Sequence, residues 1–267
     1  MHRLHRRTFL LAAVMAPLGA AASPDAAAAA LQADARLQAI LDEMRSPEKE
    51  TRLKAISKLV HYEGGEDAKI PALDALRGAM KDREPEVRAV ACTATGNMRE
   101  RASHAVPDLT RLLKDPDREV RQCAVRALGR VGQPALVSLK AIRASTADSD
   151  PVVRVVAHGS LVRLGQDPSQ HMPALIEGMH SADPLLRYKS AHSCEPLGAA
   201  AAPAVEHIAR LLADENEQVR HYAARALVNL GETARPALPA LRAAQKSERV
   251  KNNLGLIDAA IRKLEAR

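Results

Sequence analysis

Six arginines recur at a nearly fixed interval, and a row of guanidiniums is the first candidate for chemistry. Arg52, Arg88, Arg121, Arg154, Arg187 and Arg220 are separated by 36, 33, 33, 33 and 33 residues. Facing solvent together, they would suit a polyanion, because each planar guanidinium takes a phosphate or carboxylate in two parallel hydrogen bonds. A second series argues for another use. Asp82, Asp115, Asp148 and Asp214 each stand six residues before an arginine, with Ser46 and Ser181 at that place in the first and fifth members. Carboxylates in phase with guanidiniums point to ion pairs inside a repeating framework. The arginines are then engaged by carboxylates and helix C-termini, not free for a ligand.

The remaining reactive residue types form no constellation. Counted from the apolar residue before each arginine, Cys92 is at offset five, Cys123 at three and Cys194 at eight. None is in register with a neighbour, so the expectation is three buried small apolar side chains and no disulfide. Cys194 stands where Leu128, Leu161 and Leu227 stand in other units, a core position. His192-Ser-Cys194, His171 and His180 lie in no ligand pattern, so surface imidazoles and no metal site are expected. There is no GxSxG, no SxxK and no glycine-rich phosphate loop, hence no cofactor and no catalytic residue is assigned.

The elements that position these residues follow from the same period. Before each Asp, apolar residues fall at helical spacing, as in Val106, Leu109, Leu112 and Leu113, or Val205, Ile208, Leu211 and Leu212. After a break marked by Pro116, Pro151 or Pro184 a second series begins beside the arginine: Val120, Ala124, Ala127 and Leu128, or Val219, Ala223, Ala226 and Leu227. Gly132, Gly165, Gly198 and Gly231 recur at 33 and are expected to close helices as left-handed caps. Each unit is therefore two amphipathic helices. The 46% apolar content with Phe9, Tyr62, Tyr188 and Tyr222 as the only aromatics suits thin layers of helices packed on Ala, Val and Leu.

The stretch from Pro107 through Asp115 to Arg121, followed by AVRALGRVG, resembles a HEAT repeat of the bacterial type also seen in phycobilin-lyase-like proteins. The resemblance spans about residues 36–266 and implies an all-α fold, a right-handed α-solenoid superhelix of about seven helix pairs. Its units are expected near 36–62, 70–99, 104–132, 137–165, 170–198, 203–231 and 236–266, forming one domain over 31–267. The resemblance also implies that Asp82, Asp115, Asp148 and Asp214 form a ladder with Arg88, Arg121, Arg154, Arg187, Arg220 and the earlier Arg52, linking successive units. At the Ser181 rung the carboxylate is missing, although Asp183 could partly substitute. End repeats depart from the pattern, as the ends of a solenoid should: Gly64-Gly65 lengthens the first unit, and no capping glycine closes the last.

In that family the second helices line the concave surface. Offsets two, six and nine share one stripe of such a helix. The stripe reads Ala89, Thr93, Gly96; Gln122, Arg126, Gly129; Val155, Gly159, Val162; Tyr188, His192, Glu195; His221, Arg225, Val228. The early units are bland. With Lys189 and Tyr222 at offset three, the fifth and sixth gather Tyr188, Lys189, His192, His221, Tyr222 and Arg225. Amphipathic side chains of this kind are enriched where proteins meet partners, so this patch is the expected contact for another protein or a peptide.

The chain opens with basic residues before an apolar run from Phe9 to Ala22, the layout of an export signal over residues 1–30. Arg6-Arg7-Thr8-Phe9-Leu10 resembles the twin-arginine motif, with His5 and Leu11 departing from it. General secretion and an uncleaved anchor are the alternatives. Removing this segment leaves about +5 of the formal +7, a mild excess that marks no nucleic-acid footprint. The expectation is a periplasmic or secreted monomer without stable membrane insertion, a non-catalytic scaffold. The alternative is an accessory or lyase-like enzyme on the same repeats; a glycosylase fits poorly with export and with so few aromatics to hold a flipped base.

Overall fold

A computed structural model describes residues 35–62 and 66–266. The segment expected to be an export signal, with Arg6, Arg7, Phe9 and Leu10, lies outside them. The described residues contain helices joined by turns. They are α1 (35–43), α2 (Lys49–Val60), α3 (Glu66–Ala79), α4 (Pro85–Asn97), α5 (Val106–Leu112), α6 (Arg118–Val131) and α7 (Leu139–Ala144), then α8 (Pro151–Arg163), α9 (Pro168–Met179), α10 (Pro184–Cys194), α11 (Val205–Arg210), α12 (Glu217–Leu230), α13 (Leu238–Ser247) and α14 (Lys251–Glu265). Among them none is long and apolar enough to cross a membrane.

The helices alternate between two layers. Even-numbered helices contact one another in succession from α2 to α14, while odd-numbered ones cover one side of them, giving an all-α solenoid of helix pairs. Local chemistry starts the second helices. Asp117, Asp150, Asp183 and Asn216, spaced by 33, cap α6, α8, α10 and α12 by accepting backbone N–H bonds, and Pro151 and Pro184 occupy first-turn positions where no N–H is required. The core between the layers is Leu, Ile, Val and Ala, with Met80 and Met179 among its fully buried side chains. Cys92 and Cys194 belong to it as expected, and burial raises both thiols, Cys194 to about 12. Cys123 is only half-buried; all three cysteines are free.

Two features of the second-helix layer differ from the sequence reading. Glycines of the stripe are contacts, not blanks: a Cβ on Gly96 would sit 2.8 Å from Ala127 Cα, and one on Gly159 2.8 Å from Ser193 Cβ. They let neighbouring helices approach closely. The unit-closing glycines take positive φ as expected, but only Gly165 ends its helix in a Schellman arrangement, with Gln166 N–H bonded to Leu161 O and Gly165 N–H to Val162 O. Gly132, Gly198 and Gly231 combine φ of 80, 53 and 55° with ψ near −130°, an extended mirror region that other residues avoid. There the chain turns into the 3-10 stretches Gln133–Ser138, Glu195–Ala204 and Gly231–Ala237 that lead into the next first helix.

The ladder crosses units. Four arginines reach the carboxylate of the following unit in a bidentate pair: Arg52 to Asp82, Arg88 to Asp115, Arg121 to Asp148 and Arg187 to Asp214, at 2.6–2.9 Å. Their Nη1 atoms meanwhile donate to backbone carbonyls five and six residues upstream, so an Asp six residues before an arginine contributes its carbonyl, not its carboxylate, to that arginine. Arg220 completes the series with Glu248, a residue outside the predicted ladder. Arg154 corrects it, because the carboxylate due at Ser181 is absent: among the described residues Arg154 bonds only the carbonyls of Asp148 and Ser149. Asp183 does not substitute, since its carboxylate is engaged as the α10 cap.

Candidate functional site

The six patch residues come together on α10 and α12. Tyr188 and Tyr222 stack with ring centroids 4.8 Å apart and planes 15° off parallel. Cations flank the stack on both sides, with Lys189 Nζ 5.3 Å from the Tyr188 centroid and the Arg225 guanidinium 5.2 Å from that of Tyr222. His192 and His221 meet Tyr222 edge-on at 5.2 and 5.4 Å. All six are half-buried, so the stack is a shelf with an open side. Burial, and then Tyr222, raises the Tyr188 phenol above its usual value; burial, and then Arg126, lowers the Lys189 ammonium.

Glu195 organises the edge of this shelf. It lies 2.8 Å from His192 Nδ1 and accepts from Arg225 Nε and Nη2 at 3.2 and 3.1 Å and from Asn229 Nδ2 at 3.3 Å. An ionised carboxylate only accepts, so Nδ1 carries the proton of the His192 bond. His221 is fixed from the other side by Asn253, 3.0 Å away and buried.

Beyond Glu195 lies a cleft of about 600 Å³ to which α4, α6, α8, α10 and α12 all contribute, so the second-helix layer curves around it. Its walls carry Arg99, Arg126, Arg130 and Arg163, and Glu195 is its one carboxylate among the described lining residues. Arg130 Nη1 donates to Asn97 Oδ1 at 2.6 Å, a neutral partner. Arg126 and Lys189 share the Gln122 amide oxygen, at 2.6 and 3.0 Å in the amide orientation that satisfies both. Burial, and after it the charges of Arg126, Arg163 and Arg99, holds Arg130 below its usual value, with Glu195 acting the other way; burial and then Arg99 do the same to Arg163.

Sequence reading missed most of this cleft. Arg126 stood in a unit read as bland. Arg130 and Arg163 lie one residue beyond the stripe, at offset ten, with Asn97 and Asn229 in the same phase; following the stripe one position further shows them. Arg99 stands 33 residues before Gly132, in the glycine position of its unit, and has a φ of 55°. A side chain that long at positive φ strains the backbone and sets a cation on the cleft rim. Arg99→Gly is expected to stabilise the fold by about 1 kcal/mol, seen as a raised midpoint in urea; an unchanged or lowered midpoint would show that the position carries no strain.

His171 and His180, expected as surface imidazoles, are each paired with a second histidine, and His171 is buried. His158 and His171 bring their Nδ1 atoms within 3.1 Å, and His180 Nε2 lies 2.9 Å from His207 Nδ1 in the next unit. Burial, and then the partner's charge, lowers His158 and His207. Among the described residues no three His, Cys, Asp or Glu side chains gather as metal ligands.

Comparison with known proteins matches the repeat itself. No curated protein sequence matches the chain. Similar folds occur in an engineered protein (20% identity, 86% of this chain and 97% of that one, TM-score 0.44) and in human deoxyhypusine hydroxylase in complex with glycerol (20%, 90% and 99%, 0.46). Another occurs in the complex of CpcE and CpcF of phycocyanin lyase from Nostoc (20%, 59% and 98%, 0.44). Residues 73–161 match the family model of HEAT repeats and residues 204–234 that of a HEAT repeat, so the chain is an all-α solenoid that carries HEAT repeats over those two stretches.

Proposed function

We propose that this chain is an exported, monomeric scaffold that performs no chemistry of its own and holds another protein, or a peptide segment, across its second-helix face. The stacked Tyr188–Tyr222 shelf carries this reading. Two half-buried rings held by a neighbouring carboxylate network and flanked by cations offer a large, rigid contact at little conformational cost, the composition that dominates binding energy at interfaces. Support also comes from what surrounds it: five of the six ladder arginines are engaged by carboxylates and Arg154 by backbone carbonyls, while His192 and His221 are held by Glu195 and Asn253.

The test is a crosslinking pull-down with the mature protein, produced from its own N-terminus and recovered from the periplasm. Tyr188→Ala with Tyr222→Ala is expected to reduce partner recovery about tenfold or more, and Arg6→Lys with Arg7→Lys to stop export. Equal recovery by the shelf variant would remove the shelf as the contact. A turnover abolished by His192→Ala, or a preparation carrying a coloured cofactor, would replace the scaffold by the enzymatic alternative.

A further inference from the structure

The cleft beside the shelf carries more positive charge than its own protein neutralises. Each ladder guanidinium from Arg52 to Arg121, and again Arg187 and Arg220, faces a carboxylate, which is how this fold treats arginines it uses for structure. Arg99, Arg126, Arg130 and Arg163 are arranged otherwise. Among the described residues Arg99 and Arg163 make no hydrogen bond or ion pair, and the bonds of Arg126 and Arg130 go to the neutral amides of Gln122 and Asn97. The one carboxylate within reach, Glu195, is already shared by His192, Arg225 and Asn229.

Like charges gathered in a partly desolvated recess repel one another, and a fold gains nothing from holding them there unpaired. Arg99 adds a backbone cost to that repulsion. Such an arrangement is relieved by a ligand that brings several oxyanions at once. The cations also end abruptly: Pro196 and Asn229 follow Arg163 in the same phase, so the cluster covers a few units and forms no track for a long polyanion. The shelf and the cleft meet at His192, which contacts Tyr222 and lines the cleft.

We infer that the cleft is the acidic-side-chain subsite of the partner-binding face, built to receive two or more carboxylates of an acidic peptide segment whose apolar portion lies on the Tyr188–Tyr222 shelf. This rests on the scaffold reading and names the chemistry of its partner. Guanidiniums suit the task because each offers a fixed fork to a planar carboxylate, so lysines in their place retain charge and lose geometry.

The experiment is fluorescence anisotropy on the purified mature protein with labelled hexaglutamate, with hexaglutamine as the uncharged control and inorganic pyrophosphate as competitor. Hexaglutamate is expected to bind and hexaglutamine not. Arg130→Gln with Arg163→Gln should weaken hexaglutamate about tenfold or more, Arg130→Lys with Arg163→Lys should give an intermediate loss, and raising the salt should weaken the wild type. Both residues lie off the ladder, so urea midpoints of the variants should stay at or above wild type, which separates lost binding from lost folding. Absent hexaglutamate binding, or equal binding by the Gln variant, would overturn the inference. Pyrophosphate binding without hexaglutamate binding would also overturn it, by making the cleft a small-phosphate site. If partner recovery responds to the tyrosines but not to Arg130 and Arg163, the inference fails while the scaffold stands; if it responds to neither, the scaffold reading fails.

Discussion

Arg121→Ala is expected to destabilise the protein by about 3–5 kcal/mol, and Arg154→Ala by only about 1–2. The two side chains have equivalent places in consecutive units and make the same pair of bonds to upstream carbonyls. They differ in what lies ahead. Arg121 meets Asp148, whose side chain is 11% exposed, whereas Arg154 meets the Ser181 position. Removing Arg121 therefore leaves a carboxylate in a poorly solvated junction without its counter-charge, and that orphaned charge dominates the cost. Adding Asp148→Ala to Arg121→Ala should recover part of the loss. Urea midpoints of the three variants decide it; equal losses for Arg121→Ala and Arg154→Ala would show that the carbonyl bonds, not the cross-unit pair, hold the stack.

Acid is expected to undo the same ladder, and most steeply at its C-terminal end. The hydrogen bonds from Arg220, reinforced by the N–H groups of Val250 and Arg249, hold the Glu248 carboxyl at about 2, against an ordinary 4.5 and against the opposing effect of burial. A carboxyl depressed in the folded state stabilises it fully above the unfolded value and ceases to do so as pH falls to the folded one. The window thus runs from about 4.5 down to about 2, and Glu248 alone accounts for about 3 kcal/mol across it. Asp82 and Asp148 titrate in the same sense below 3.8: burial acts to raise them, but the bonds from Arg52 and Arg121, joined by backbone N–H groups, outweigh it. Glu248→Gln should lower stability at neutral pH and flatten its decline between pH 5 and pH 2. Urea midpoints across that range are the measurement; a variant with the wild-type pH slope would show that the Arg220–Glu248 pair does not control acid stability.

These expectations trace where the sequence was readable. The 33-residue interval, the apolar spacing inside each unit and the phase of Asp with Arg mark helix pairs and a ladder, because contacts that repeat along a solenoid must repeat in the chain. The interval does not say which carboxylate meets which arginine. Arg88 has Asp82 six residues upstream and Asp115 twenty-seven downstream, and only the packing of one unit on the next brings Asp115 to it. Glu248 escaped notice because the last unit arrives out of phase and a longer side chain makes up the difference. Asp183 invited the opposite error: its charge suggested a spare rung, but the 33-residue series to which it belongs is that of the helix caps.

The site divides the same way. Tyr188, Lys189, His192, His221, Tyr222 and Arg225 were legible as one patch because a helical stripe is fixed by 3.6-residue geometry, and adjacent units place equal offsets side by side. The cleft was not. Arg99, Arg126, Arg130 and Arg163 come from three units and from different offsets, and the stripe glycines that looked empty set the close approach of the helices that carry them. The residues alone therefore determined the helix pairs, their number and the kind of chemistry that joins them, since those depend on spacings within a unit and between its neighbours. The tertiary structure decided which charges are neutralised and which converge unpaired, because charge balance depends on distances between side chains of different units, and no periodicity encodes those distances.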